Sequence, residues 1–522
     1  MRRALATLTM VFALALPAHA ERPRPLGWAM DAMRAGSWDN AALIARRDGA
    51  VAVDVIEWHR LRAGRGTYAE VTDFLSRRPD WPGEAYLRRQ SEEAVIREGD
   101  KAILDFFIGQ GPQTPEGVLA HAAALLRADR LGEAQARLVL AWRTLPMSGN
   151  DQAKFIDAHG PLLKPHHAAR LDEMLWQREH AEARQMFDLV SDADKALAET
   201  RIALQNLDGD VNALIDALPA SKAGDPGLQA DRFEWRIRKG YGDSAKDLML
   251  SQSISAAALG QPAAWANRRR ALARDEMRNG DPARAYQMAS KHFLSEGSHF
   301  ADLEWLSGYI ALRFLKDPKL ALGHFQAHDG AVESPISQGR AGYWQGRAYQ
   351  AMGDAEGAAK AYAQGAKFQS SFYGLLAAER GNLPFDTSLA GAPPEQDWRT
   401  SALAQAPLFQ AGLLLQASGE LSTAERFWTH LAEQLITEDA ALLGQAAIDV
   451  GQPHLAVMIG KRVAQRGITI AGPYYALHDA IKLDLNMAPE MVLAIARRES
   501  EFDPVVQSHV GARGLMQLMP AT

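Results

Sequence analysis

"RNGDPARAYQMA" (residues 278–289) holds the pattern that decides the fold. A helical run ends at a glycine, an aspartate and a proline follow, and a new run opens on small residues. Glycine reaches the left-handed conformation that stops a helix, aspartate caps the next helix, and proline fits its first turn. The phrase therefore predicts two helices packed back to back across a tight turn.

Variants recur along the chain: "RAGSWDNAALIA" (34–45), "RKGYGDSAKDLM" (238–249), "LKDPKLALGHF" (315–325), "AMGDAEGAAKAY" (351–362) and "ASGELSTAERFW" (417–428). Between them, apolar residues return at three- and four-residue spacings and alternating β-branched runs are scarce. An aromatic often stands about one helix earlier, as Trp235, Trp265, Trp305 and Trp344 do, and these are expected in the core. Such stacked hairpins are similar to tetratricopeptide repeats, though without a fixed period. Each unit buries its apolar face only against its neighbours, so an all-α superhelix, ring or horseshoe, is expected.

The remaining divisions follow from breaks in this pattern. Residues 1–20 combine Arg2-Arg3, an apolar run from Ala4 to Leu16, and Ala18-His19-Ala20. That is the pattern of a cleavable export signal, too short to span a bilayer. The superhelix is assigned to 21–381. "NLPFDTSLAGAPPEQDW" (382–398) reads as a linker, 399–470 as a small helical domain, and "AGPYYALHD" (471–479) opens a last unit, 471–522.

Composition narrows the function. The 522 residues are 47% hydrophobic and 23% charged, with a formal net charge of −6. A folded chain is expected, and one unsuited to nucleic acid, whose phosphates need a basic surface. The basic run Arg268-Arg269-Arg270 falls in a helical pattern and is expected on a solvated face. With no cysteine, thiol chemistry and disulfides are excluded. No cofactor or metal motif is found, and His166-His167 lack ligand spacing. No run beyond the N-terminus is long and apolar enough to span a membrane.

Near the end stands "MAPEMVLAIARRES" (487–500). Pro489 suits a first helical turn and Glu490 its positive pole. Val492, Ile495, Ala496 and Glu499 fall at i, i+3, i+4 and i+7, which puts Glu499 on the apolar face. A carboxyl group against an apolar wall keeps its proton more readily and can act as a general acid.

The residues that follow carry a family resemblance. Ala496-Arg497-Arg498-Glu499-Ser500, Phe502-Asp503-Pro504, Ser508, Val510-Gly511-Ala512 and Gly514-Leu515-Met516-Gln517-Leu518-Met519-Pro520 resemble the opening of the lysozyme-like catalytic module of soluble lytic murein transglycosylases. "FYGLLAAERG" (372–381) resembles a phrase near the end of that family's helical ring. The resemblance implies an exported, periplasmic enzyme acting on peptidoglycan strands, with other periplasmic cell-wall enzymes as candidate partners.

It further implies that Glu499 is the single acid/base. Ser508 and Gln517 would line the glycan groove and Met519 would neighbour the glutamate. Ser500 would support the helix end, and Gly511 and Gly514 would serve as turn glycines. The implied reaction cleaves the β-1,4 bond between N-acetylmuramic acid and N-acetylglucosamine and leaves a 1,6-anhydro end. One carboxylate suffices, unlike the paired scheme of ordinary glycosidases. Asp503 reads as a loop cap.

The family pattern continues beyond Pro520, so the chain reads as a C-terminally truncated form. The short run after Tyr475 is too small to enclose a core, which leaves Glu499 exposed and activity weak or absent. Two other readings stay open: a non-catalytic scaffold binding cell-wall glycan or periplasmic proteins, and a hydrolase leaving reducing ends.

Overall fold

The computed structural model describes residues 24–483 and 486–521. The export signal expected at 1–20 lies outside them. The described residues are helical and contain no named strand, only isolated bridges at Gln507, Arg513 and Leu518. None of their helices is long and apolar enough to cross a membrane.

The hairpin phrase folds as its chemistry requires. Pro262–Asn279 stops at Gly280, the Asp281 carboxylate accepts the N–H groups of Ala283 and Arg284, and Pro282–Ser290 follows. Gly353 takes the left-handed conformation at φ 79°. Gly280 does not, at φ −129°; here the Asp281 cap alone turns the chain. In "LKDPK" the left-handed position falls to Lys316, at φ 59°.

Small residues set the helix spacing. A Cβ on Gly342, in Pro335–Met352, would lie 2.4 Å from the backbone nitrogen of Gly365 in Ala355–Gly365. Any side chain there would push the two helices apart. Trp265 and Trp344 are buried; Trp235 and Trp305 are half-buried, and Trp235 donates its indole N–H to the Asp208 carbonyl at 3.0 Å.

The basic run corrects its expectation. Arg269 is fully buried and donates to the Met288 carbonyl and the Ser253 hydroxyl. Burial pushes its guanidinium down to about 10. Arg268 pairs with Glu234, and Arg270 with Asp302. The run clamps successive hairpins, because their carbonyls and carboxylates meet it from helices the local periodicity does not register.

Hydrophobic cores follow one another along the chain, each confined to neighbouring hairpins: residues 118–202, 197–228, 230–310 and 311–378. A fifth is different. It joins Leu26 to Ala124 with Trp398 to Ala476, and adds Ala496 and Phe502. The Phe427 ring packs edge-on against Trp58 and Trp81 at 5.1 and 5.0 Å, and Arg34 pairs with Glu420 at 2.5 Å.

The other end of the superhelix meets the same region, where the Tyr475 hydroxyl donates to the Ser370 carbonyl at 2.8 Å. The helices thus close into a ring. Segment 399–470 shares its core with the first hairpins and acts as the clasp. Linker 382–398 runs through irregular turns to Trp398, whose indole donates to Asp449 at 3.0 Å.

Candidate functional site

The helix Pro489–Ser500 buries Val492, Ala496 and Ser500, and Ala496 joins the core shared with the clasp. That stripe corrects the expected apolar face. Ile495 is 38% exposed and Glu499 is exposed. The buried line runs along i, i+4 and i+8, and Glu499 falls beside it. Glu499 makes no hydrogen bond or ion pair among the described residues.

The helix ends through two consecutive left-handed residues without glycine, Glu501 (φ 48°) and Phe502 (φ 66°). Side chains raise the energy of that conformation by roughly 1–2 kcal/mol each. Several contacts hold it. Lys461 pairs with the Glu501 carboxylate at 2.5 Å, and His454 donates through Nδ1 to the Glu501 carbonyl at 2.9 Å. Phe502 is buried and stacked on His478 at 5.3 Å. Burial alone would lower the pKa of His454, but Glu425 and the Glu501 carbonyl carry it above the ordinary value.

The following loop is folded by its own backbone. Asp503 accepts the Val505 N–H at 2.9 Å, a short turn cap. Ser508 and Ala512 exchange bonds across the left-handed Gly511, the Ser508 hydroxyl accepting the Ala512 N–H at 3.0 Å. Arg513 and Leu518 bond reciprocally around the left-handed Gly514. Gln517 donates its amide to the carbonyls of Val506 and Gly514 at 3.1 and 3.0 Å.

Ser508 and Gln517 are thus both engaged within this loop. Ser500 ties the loop to the helix, its hydroxyl lying 3.0 Å from the Ala496 carbonyl and 2.9 Å from that of Leu515. Met519 lies past the bridge, 45% exposed.

A pocket of about 470 Å³ lies behind the helix, lined by Tyr474, Tyr475, Leu493, Arg497 and Phe502 among others. At about 100° per residue, Arg497 and Leu493 point away from Glu499, so this space is not a groove for it. Arg497 sits 4.7 and 5.3 Å from the centres of the Tyr474 and Tyr475 rings and donates to the Tyr474 carbonyl. Sequence reading missed this cluster and the His454–Lys461 clamp. The signal available was the paired tyrosines of "AGPYY". Among the described residues no group of His, Asp and Glu side chains is arranged to hold a metal ion.

Residues 477–522 match the family model of the transglycosylase SLT domain. A soluble lytic murein transglycosylase of Escherichia coli K12 is 30% identical over 166 residues, covering 30% of this chain and 24% of that protein. A putative soluble lytic murein transglycosylase of Haemophilus influenzae is 27% identical over 157 residues, 30% of this chain and 26% of that protein. The chain thus matches about a quarter of the length of these curated relatives.

Solved structures extend the likeness in fold. The 70 kDa soluble lytic transglycosylase of Escherichia coli aligns with a TM-score of 0.59 at 19% identity, over 95% of this chain and 80% of that one. An inactive glutamate-to-glutamine mutant of the lytic transglycosylase Slt of Pseudomonas aeruginosa aligns at 0.65 and 19%, over 96% and 81%.

Proposed function

We propose that the chain belongs with the soluble lytic transglycosylases and acts on peptidoglycan strands in the periplasm with Glu499 as its single acid/base. The observation that carries the reading is the unpaired, exposed carboxyl group of Glu499, at the end of a helix inside the segment that matches the transglycosylase domain. That the mutant of the Pseudomonas aeruginosa relative is inactive with a glutamate changed to glutamine supports one essential carboxyl group there.

In this reading Glu499 gives its proton to the glycosidic oxygen as the bond to the muramic acid C1 breaks. The carboxylate then takes the proton of the same sugar's 6-hydroxyl as O6 bonds to C1. The acid is restored, no water is consumed, and the product carries a 1,6-anhydro ring. On the same reading Ser508, Gln517 and Met519 line the glycan, the first two through the loop that their side chains hold. Ser500, Gly511 and Gly514 hold the loop in shape.

Glu499 stands open to solvent, with no polar group among the described residues to orient its carboxyl. Turnover by this chain is therefore expected to be weak or absent. Long incubation of purified sacculi at high protein concentration, with mass spectrometry of the fragments, tests the reading. A low yield of anhydro ends, abolished by Glu499→Gln, supports it. Reducing ends instead would mean hydrolysis. Intact sacculi that retain the protein would favour a scaffold, the reading to which the closed ring lends support.

A further inference from the structure

Where the first hairpins meet the clasp, a pocket of about 380 Å³ opens at the surface. Its walls come from distant parts of the chain: Arg62 and Tyr86 from helices Ala50–Arg62 and Glu84–Val95, Arg426 and His430 from Leu421–Ala432, and Arg462 from Pro453–Ala464.

The charge around this space is unbalanced. Glu433 is the one acid in the lining, and it is already shared by Arg462 at 3.1 Å and His430 at 3.2 Å. Arg62 lies 4.4 and 4.6 Å from the centres of the Trp58 and Tyr86 rings, and its one polar partner is the Gly83 carbonyl. The Arg426 guanidinium has no hydrogen bond or ion pair among the described residues.

Of the three guanidinium groups that line this cavity, those of Arg62 and Arg426 have no carboxylate partner among the described residues. The neighbours register that field. Burial first, and then Arg426, hold Arg62 below its ordinary value. Burial, followed by Arg62, Arg34 and Arg426, pushes His59 down to about 4.

An unpaired arginine pair over an aromatic shelf has the donor geometry and charge for a planar or tetrahedral oxyanion. We propose that this seam pocket is an oxyanion-binding site, holding a carboxylate or phosphate between Arg62 and Arg426 and so fastening the first hairpins to the clasp. The inference rests on the seam and is independent of Glu499. A carboxylate of a murein stem peptide, a source that rests on the peptidoglycan reading above, and free inorganic phosphate share this chemistry.

Thermal unfolding of the 522-residue chain tests it, with inorganic phosphate or a soluble murein-derived peptide against chloride at matched ionic strength. One or both probes should raise the unfolding temperature. Arg426→Gln should weaken that ligand's affinity by about tenfold, the value of one charge-assisted contact. Without ligand, Arg426→Gln should be as stable as the parent or more so, because repulsion is relieved. Lys360→Gln, on a remote exposed pair, should leave the ligand effect intact.

A shift with the peptide identifies a stem carboxylate as the source, and a shift with phosphate alone identifies phosphate. No shift with either probe overturns the proposal. So does an unchanged shift in Arg426→Gln, or an equal loss in Lys360→Gln. A lowered ligand-free unfolding temperature in Arg426→Gln also counts against it, since that would make the guanidinium a structural partner.

Discussion

The seam that closes the ring and the loop that follows Glu499 are built on opposite principles. At the seam, Trp58, Trp81, Phe427 and Trp428 bury aromatic surface against one another. In the loop 503–519, backbone bonds around Gly511 and Gly514, with the amide of Gln517, do most of the holding, and Met519 and Val510 stay exposed. Buried area is large and non-directional, so it suits a joint that must resist opening. Hydrogen bonds contribute little net stability each but fix positions, which suits a loop that must hold one shape. The ring supplies stability and the loop supplies geometry.

The largest expected effect comes from attacking the seam. Trp428 is fully buried, its indole donates to the Phe409 carbonyl at 3.1 Å, and a Cβ on Gly412 would collide with its ring. Trp428→Ala should cost about 3–5 kcal/mol. Calorimetry should show a fall in unfolding temperature, and proteolysis should show the first hairpins released together with 399–470. Release of the clasp alone would mean that the shared core is not one unit.

A buried polar contact within the ring comes next. Glu304 lies between His292 at 2.9 Å and His324 at 2.7 Å. Burial works to raise its pKa, but the two imidazoles outweigh it and hold the group at about 2. A carboxylate held below its ordinary value of 4.5 contributes stability above that pH, and the contribution is lost as pH falls through about 2. Glu304→Gln should cost about 1.5–3 kcal/mol near neutrality, the range for hydrogen bonds to a charged group. It should also flatten the acid limb of the stability curve, which a pH series of denaturant melts would read.

Ser500→Ala addresses the loop. It removes the hydroxyl that ties the helix to the Leu515 carbonyl and should cost about 1 kcal/mol. Hydrogen exchange should quicken in residues 503–519 while the unfolding temperature of the ring stays nearly fixed. A ring that melts earlier would show that the two regions are coupled.

How far each region can be read from sequence follows the same divide. The hairpins are written locally: Asp354 caps Ala355–Gly365 three residues from the N–H it accepts, and Gly353 turns the chain just before it. The closure is not, because Phe427 meets Trp58 across more than half the chain and no periodicity registers that pairing. The burial of Arg269 escapes the local pattern for the same reason, since its partners lie on the other arm of its hairpin, at Met288, and at the end of an earlier helix, at Ser253. At the site, the motif locates Glu499, while its face of the helix depends on where the clasp presses. The left-handed pair Glu501–Phe502 carries no glycine to announce it; contacts with His454, Lys461 and His478 impose it.

His454 offers the smallest effect and the finest separation of site from ring. It touches the Glu501 carbonyl on one side and the Glu425 carboxylate, at 3.3 Å, on the other, with the charge of Asp503 nearby. The net raised pKa means that the protonated form is bound more tightly in the folded chain than in the unfolded one. Its contribution is therefore fully present below the ordinary value of 6.5 and is lost as pH rises through the folded value. Amide exchange in Pro489–Ser500, after correction for the intrinsic rate, should be slower below the ordinary value of 6.5 than above the raised folded value. His454→Gln should keep a donor to the Glu501 carbonyl but remove this pH dependence. The seam aromatics have no part in it, so exchange in Ala50–Arg62, which carries Trp58 and has no bond to His454, should show no matching change. Equal pH dependence in both helices would mean that the clamp and the ring loosen as one body.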